Sequence, residues 1–150
     1  DFAPSQTEVI TQKGYWRILS ILLNVVDSGT GNRLRRPPYN VTAQTGGKTG
    51  TTNDNADGWF MAFTPDLVSG TWVGGEDRYI HFNNMAQGQG AAMALPIYGR
   101  YISKVYADPS LHYSQSSQFE FPAGLNPCAG AYAPDDEEEV VDQAMQGVFD

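Results

Sequence analysis

The sequence predicts an α+β fold in which a three-stranded antiparallel sheet carries two helices on one face. Three observations lead to this class. Apolar residues recur at helical spacing in two segments, one near residue 20 and one near residue 100. Three short strand-like runs lie between them, and the last two are joined only by Thr64-Pro65-Asp66-Leu67. Because so short a turn reverses the chain, those two strands must run antiparallel.

The first helix is predicted from Gln12 to Asp27, with Thr11 as its N-cap. Its apolar stripe comprises Tyr15, Ile18, Leu19, Leu22, Val25 and Val26. Further apolar residues widen that stripe beyond one side of the helix. We therefore expect this helix to be largely buried.

The first strand is predicted over residues 44–53, after a loop rich in Gly, Arg and Pro. It contains a run of small and polar residues, Lys48-Thr49-Gly50-Thr51-Thr52. Side chains alternate along a strand, so Thr49 and Thr51 point to one face, and strand twist must bring the Lys48 ammonium toward the edge. Gly50 lets a ligand backbone approach closely. The segment therefore offers main-chain groups, hydroxyls and a cation to an extended ligand that carries a carboxylate.

The second and third strands are predicted over residues 58–64 and 67–73. Apolar side chains occupy both faces of the second strand, with Trp59, Met61 and Phe63 on one face and Phe60 and Ala62 on the other. Such a strand is typical of the centre of a sheet that is covered on both sides. Since both helices are assigned to one side, we expect the other side to expose an apolar patch.

The last helix is predicted to begin at Gly90 or Leu95 and to end near Val105. Its apolar residues are spaced three or four positions apart, which favours packing against the sheet. Residues 1–114 form the folded unit in this prediction. The chain is long enough for one modest domain with a core of its own.

The acidity of the chain is concentrated in its C-terminal tail, residues 115–150, which we expect to be disordered. The net charge is −8, yet all nine Lys and Arg and nine of the 17 acids precede residue 119, so the body is formally neutral. The acidity therefore describes the tail and not a site in the body. In an alternative interpretation, Phe119-Glu120-Phe121-Pro122 docks on the domain through its aromatic rings.

The basic residues do not indicate a protein that binds nucleic acid. Their only cluster, Arg33, Arg35 and Arg36, precedes two prolines and is interpreted as a solvated loop. The alternative is a loop beside a cleft that meets an anionic substrate. The single Cys and the two isolated His show no metal-ligand spacing, so neither a metal nor another cofactor is expected.

Several motifs resemble, in order and spacing, the transpeptidase domains of class A (bifunctional) penicillin-binding proteins. The motifs are Gly47-Lys48-Thr49-Gly50-Thr51-Thr52, Asp57-Gly58-Trp59-Phe60, Thr64-Pro65 and Trp72-Val73-Gly74. Residues 22–31 resemble the helix and Gly-Thr-Gly turn that precede them in that family, and residues 91–101 resemble its closing helix. The resemblance covers about residues 8–106. It implies a partial penicillin-binding-protein/serine β-lactamase-like fold, with residues 1–114 as the C-terminal half of a transpeptidase domain.

The resemblance also implies roles for the residues of the motif. In that family a serine attacks the D-Ala-D-Ala amide of a peptidoglycan stem peptide, and β-lactams acylate the same serine. Lys48 would be catalytic through its positive potential and its help in proton transfer. Thr51 would be catalytic through its backbone N–H, one of two oxyanion donors. Thr49, Gly50, Thr51 and Thr52 would bind substrate, with the hydroxyls of Thr49 and Thr51 on the substrate carboxylate.

The partners implied by the resemblance are the D-Ala-D-Ala stem peptide and β-lactams, at the periplasmic face of the bacterial inner membrane. Intact members of the family have a membrane anchor and a glycosyltransferase domain, and neither is recognisable in this sequence. We therefore expect this chain to be soluble. Its start at Asp1, without Met, suggests an excised or processed piece of a membrane-anchored parent.

The sequence departs from the family because it contains no Ser-x-x-Lys nucleophile motif and no Ser-x-Asn motif. We therefore expect the chain alone to be inactive as a transpeptidase. Thr45 precedes Lys48 by three residues, but that spacing brings two groups together only on a helix, and the intervening glycines favour a strand. The alternative function is a noncatalytic module that binds peptides or peptidoglycan. A β-lactamase-like hydrolase is disfavoured by the same missing nucleophile.

Overall fold

Three strands and four helices make up the part of the chain that the computed structural model describes, residues 9–121. In chain order they are α1 (Gln12–Asp27), β1 (Gly46–Thr51), β2 (Asp57–Phe63), β3 (Val68–Gly74), α2 (Met85–Gly88), α3 (Gly90–Met93) and α4 (Leu95–Ala107). Short 3-10 turns occupy Asn32–Arg35, Asn53–Asn55 and Pro109–Leu111. None of the described helices is long and apolar enough to cross a membrane.

The sheet confirms the predicted antiparallel arrangement, with the strand order β1-β2-β3. Phe60 of β2 lies opposite Thr49 of β1 and Thr71 of β3. Residues directly opposite one another project from the same face of a sheet, so both threonines share the face of Phe60. Phe60 and Ala62 are only 0% and 1% exposed, and we call their side of the sheet the packed face.

The other side of the sheet, which we call the open face, carries Trp59, Met61 and Trp72. These three side chains remain 45%, 45% and 47% exposed. Lys48 lies opposite Met61 and so belongs to the same face. The exposed apolar side chains expected on one side of the sheet are therefore present among the described residues.

The core lies between the packed face and α4. Tyr98 of α4 packs edge-on against Phe60, with ring centroids 5.3 Å apart and planes at 62°. Val26 from the last turn of α1 and Leu34 from the first 3-10 turn belong to the same cluster, so both long helices contribute to one core. Burial of each large apolar side chain stabilises the fold by about 1.5–3 kcal/mol.

Helix α1 has the predicted bounds but is less buried than expected. It begins where the Thr11 hydroxyl accepts a hydrogen bond from the Gly14 N–H at 3.1 Å, which confirms the predicted N-cap. It then packs along β1, a strand at the edge of the sheet. An edge strand covers only one side of a wide apolar stripe, so Ile18 and Ile21 remain 50% and 66% exposed. The prediction of a largely buried helix is wrong for this reason.

The segment before residue 122 contacts the domain through its aromatic rings. The Phe119 ring lies 5.9 Å from that of Phe63, and the Phe121 ring lies 5.0 Å from that of Trp16. The docking interpretation therefore describes these two residues. The remainder of the predicted tail, residues 122–150, lies outside the described residues, and the proposed boundary between domain and tail stays a prediction.

Candidate functional site

The candidate site is the free edge of the sheet along β1. Within residues 9–121 this strand pairs only with β2. The N–H of Thr52 donates to the carbonyl of Asp57 at 3.0 Å. This bond shows which residues of the strand form hydrogen bonds with β2 and which do not. Residues of an antiparallel strand alternately face their partner strand and face away from it. The N–H and C=O groups of Thr49 and Thr51 therefore point to the free edge, where an extended ligand can bind them.

Lys48 brings a positive charge to this edge. Its side chain starts on the open face and is exposed, and its Nζ donates to the carbonyl of Thr49 at 2.6 Å. Among the described residues, no carboxylate lies within ion-pair distance of Lys48. The ammonium is therefore available to an anionic ligand that approaches the edge.

Thr49 contacts a residue of the loop that follows α1. Its Oγ1 lies 3.2 Å from the Oγ1 of Thr30, within hydrogen-bond distance. The loop is tied to the end of the helix by two backbone bonds, from the Gly29 N–H to the Asn24 carbonyl and from the Gly31 N–H to the Val25 carbonyl. The Thr49 hydroxyl thus sits beside a second hydroxyl on the packed-face side of the edge.

Thr51 joins the edge to α3. Its Oγ1 accepts a hydrogen bond from the Gly90 N–H at 3.0 Å. A Cβ on Gly90 would lie 2.4 Å from the Gly50 carbonyl oxygen, so the backbone of α3 rests directly on β1. A hydroxyl donates one hydrogen bond and accepts two, so the Thr51 O–H remains available as a donor.

Thr52 lies in the turn that connects β1 to β2. Its hydroxyl accepts from the Asp57 N–H at 2.9 Å and donates to the Asp57 carboxylate at 3.1 Å. The other carboxylate oxygen of Asp57 accepts from the indole N–H of Trp72 at 3.1 Å. These bonds use the only proton of the Thr52 hydroxyl to close the turn, and its predicted contact with substrate stays a prediction.

Thr45, which the sequence analysis considered and set aside as a nucleophile, is buried. Thr45 is 0% exposed, and its hydroxyl donates to the carbonyl of Ala43 at 3.0 Å. It precedes β1 and shares no helix with Lys48, so the pair does not form a Ser-Lys-like arrangement.

Arg35, from the basic cluster, braces the loop that leads into β1. Its Nε donates to the Asp27 carboxylate at 3.0 Å, and its Nη1 donates to the carbonyls of Val41 and Ala43 at 2.9 and 2.7 Å. A guanidinium with these partners holds loop and helix together. For Arg35 this is a structural role, which neither interpretation of the basic cluster foresaw.

Three surface depressions among the described residues are lined by residues outside the motif. One of about 310 Å³ is lined by apolar residues that include Val73, Ile80 and Phe82. Two others, of about 360 and 310 Å³, lie beside Tyr101 and between Tyr39 and Arg100. None of the three includes residues 48–52. The candidate site is therefore described by the strand edge itself and not by any of these three depressions.

Comparison with known proteins finds penicillin-binding proteins 1A and 1B among the relatives. No protein-family model matches the chain. Penicillin-binding protein 1A of Pseudomonas aeruginosa is 34% identical over 119 residues, which cover 74% of this chain and 13% of the relative. Penicillin-binding protein 1B of Escherichia coli is 32% identical over 106 residues, which cover 71% of this chain and 12% of the relative. The chain therefore spans about an eighth of the length of these relatives.

A solved structure has the same fold. The crystal structure of penicillin-binding protein 1A from Haemophilus influenzae matches with a TM-score of 0.61 over 85% of this chain and 20% of that protein. The aligned residues are 22% identical, so this likeness concerns the fold alone. It agrees with the predicted α+β class.

Proposed function

This chain is homologous to a short segment of penicillin-binding proteins 1A and 1B, and from that relationship we propose that it is the part of a peptidoglycan DD-transpeptidase that carries the Lys-Thr-Gly strand. The observation that supports this function best is the composition of the free edge. Thr49 and Thr51 direct main-chain groups outward, and Lys48 places an ammonium beside them. An extended peptide that ends in a carboxylate complements all of these groups.

In the proposed reaction, a serine attacks the carbonyl carbon between the two D-Ala residues of a stem peptide. The carbonyl oxygen becomes an oxyanion, and the outward N–H of Thr51 is proposed as one donor to it. Loss of such a donor typically costs an enzyme about 3–4 kcal/mol of transition-state stabilisation. The terminal D-Ala leaves, and the amine of a second stem peptide then releases the acyl group as a cross-link.

The proposed substrate contacts divide between the two sides of the edge. Lys48 reaches the edge from the open face and supplies positive potential near the carboxylate and the transferred proton. The hydroxyls of Thr49 and Thr51 approach from the packed face and donate to the carboxylate. A β-lactam carries a carboxylate beside its reactive carbonyl, so the same groups are proposed to bind it.

Peptidoglycan lies outside the cytoplasm, and we propose that the enzyme acts at the periplasmic face of the inner membrane.

The nucleophile of the proposed enzyme must lie on another segment, because this sequence contains no Ser-x-x-Lys. The open face gives that segment a surface on which to pack, since Trp59, Met61 and Trp72 remain about half exposed. We therefore propose that the chain is inactive by itself and that its edge is completed by the segment that carries the serine.

The proposed edge is tested by titrating the chain with a peptide that ends in D-Ala-D-Ala and following backbone amide signals by NMR. We expect shifts at residues 49–51. Thr49→Val should weaken binding about tenfold or more, since a hydrogen bond to a charged group contributes about 1.5–3 kcal/mol. Thr71→Val is the matched control, because Thr71 flanks Phe60 on the same face from the opposite strand. Absence of shifts at millimolar peptide would remove the support for this site.

A noncatalytic peptide-binding module is the second candidate. It is favoured by one observation, that the binding edge is formed while no nucleophile motif is present. The coding sequence upstream of Asp1 separates the two candidates. An in-frame Ser-x-x-Lys followed by Ser-x-Asn supports the transpeptidase, whereas a start codon with no such motifs supports the module.

A further inference from the structure

We propose that Thr30 is a further positioning residue of this site, acting with Thr49 as a pair of linked hydroxyls that presents one oriented O–H to the carboxylate of the ligand. This inference rests on the proposed function and extends it to a loop outside the motif strand. The observation that carries it is the 3.2 Å distance between the Oγ1 atoms of Thr30 and Thr49.

The backbone around Thr30 is held against the last turn of α1. The N–H of Gly31 donates to the Val25 carbonyl at 2.8 Å, and the N–H of Asn32 donates to the Gly29 carbonyl at 3.1 Å. A Cβ on Gly29 would lie 2.9 Å from the Val25 Cα, so the turn leaves no room for a side chain there. Thr30 therefore projects from a fixed backbone, and its β-branched side chain has few χ1 choices.

The number of hydroxyl protons on Thr30 and Thr49 explains how the pair binds a carboxylate. Each hydroxyl carries one proton, and one of the two protons lies in the bond between Thr30 and Thr49. Whichever residue donates, one O–H stays free. A carboxylate only accepts hydrogen bonds, so it selects the direction in which that free O–H points toward it. Linked hydrogen bonds also polarise one another, which strengthens the outer one.

The pair also explains how the carboxylate is held from two sides. Lys48 reaches the edge from the open face and contacts the Thr49 carbonyl. Thr30 comes from the loop after α1 and contacts the Thr49 side chain, which projects from the packed face. A carboxylate beside Thr49 then meets a cation on one side and an oriented hydroxyl on the other. Without Thr30, the Thr49 hydroxyl is free to rotate away from the ligand.

The test compares dissociation constants of the D-Ala-D-Ala peptide for the full chain and its Thr30 variants. Thr30→Val keeps the shape of the side chain and removes the hydroxyl, and Thr30→Ser keeps the hydroxyl and removes a methyl. We expect Thr30→Val to weaken binding about three- to tenfold, the effect of one hydrogen bond. We expect Thr30→Ser and the control Thr71→Val to bind like the unchanged chain.

The outcomes distinguish this inference from the proposed function. Failure of the unchanged chain to bind the peptide overturns both. If the unchanged chain binds and Thr49→Val weakens binding while Thr30→Val does not, only the role of Thr30 is overturned. If Thr30→Val binds the peptide like the unchanged chain while Thr30→Ser binds it more weakly, the contact of Thr30 is steric. That result would equally overturn the role proposed for the Thr30 hydroxyl. If Thr30→Val fails to fold, Thr30→Ala, compared with Thr30→Ser, provides the same contrast.

Discussion

At Gly90 the candidate site depends on the absence of a side chain. A Cβ there would lie 2.4 Å from the carbonyl oxygen of Gly50 and 2.5 Å from that of Trp59. Both oxygens belong to the β1–β2 ladder, so neither can move without disturbing strand hydrogen bonds. We expect Gly90→Ala to lower the free energy of unfolding by about 1–3 kcal/mol, the usual cost of overpacking. Urea unfolding of the full chain measures this difference.

The control for that variant is Gly70→Ala in β3. A Cβ on Gly70 would lie 2.8 Å from the Met61 sulfur, at the flexible end of an exposed side chain that can move aside. Its effect on unfolding should stay within about 0.5 kcal/mol, as for most surface substitutions. Equal losses for the two variants would contradict the close contact between α3 and the strand ladder.

The placement of the motif residues follows from sequence spacing, whereas their contacts do not. Alternation along β1 predicts that Thr49 and Thr51 share a face, and the register agrees. Thr49 meets Thr30 across 19 residues, and Thr51 meets Gly90 across 39. Spacing rules describe neighbours within one element, so these contacts were not predicted. The glycines beside Thr30 were the available signal, because they mark a chain reversal where backbones approach closely.

At the scale of the elements, the packing of α4 on β2 makes the free energy of unfolding depend on pH in the alkaline range. Burial, the largest cause, raises the pKa of Tyr98 far above its ordinary value, and the nearby Tyr106 and Tyr101 raise it further. The unfolded chain releases this proton near pH 10, whereas the folded chain keeps it. The unfolded state then binds fewer protons, so the free energy of unfolding is at its full value below about pH 10 and falls as the pH rises further.

This dependence predicts the behaviour of Tyr98→Phe. The variant lacks the phenol proton of Tyr98, so its free energy of unfolding should fall less steeply above pH 10 than that of the unchanged chain. The two slopes should differ by up to about 1.4 kcal/mol per pH unit. Burial also raises the pKa of Tyr106, and that residue should keep part of the slope in the variant. Urea unfolding at a series of pH values measures both slopes. Tyr79→Phe, at a side chain that is 78% exposed, is the control for the substitution itself.

The long elements were predictable because each has a period that repeats. Gln12–Asp27 has the predicted bounds, since its N-cap and apolar spacing agree. The single turn Met85–Gly88 was not predicted as a helix. It is capped by Asn84, whose side chain accepts from the Gln87 N–H at 3.0 Å, and one turn is too short to show a period. The exposure of α1 was not predicted because it depends on what the sheet leaves uncovered.

For the molecule as a whole, the open face and the outer edge of β3 combine exposed apolar side chains with an unpaired strand edge among residues 9–121. Val68 lies opposite Phe63, so it projects from the open face, and it is 73% exposed. The outer edge of β3 has no partner strand within residues 9–121. Unpaired strand edges beside exposed apolar side chains favour association between chains. The residues before 119 are formally neutral, so net charge repulsion from this part of the chain does not oppose association.

We therefore expect the chain to self-associate as its concentration rises, and Val68→Lys to weaken that association. A lysine on an edge strand keeps another strand from pairing there, because pairing would bury its charge. Sedimentation velocity over a concentration series measures the effect, and Val68→Ile, which keeps the apolar surface, should associate like the unchanged chain. Added salt screens charged contacts with a Debye length of about 10 Å at 0.1 M, so an apolar interface should persist in it. A chain that stays monomeric throughout, or a Val68→Lys variant that associates as strongly as Val68→Ile, would show that this surface is not adhesive.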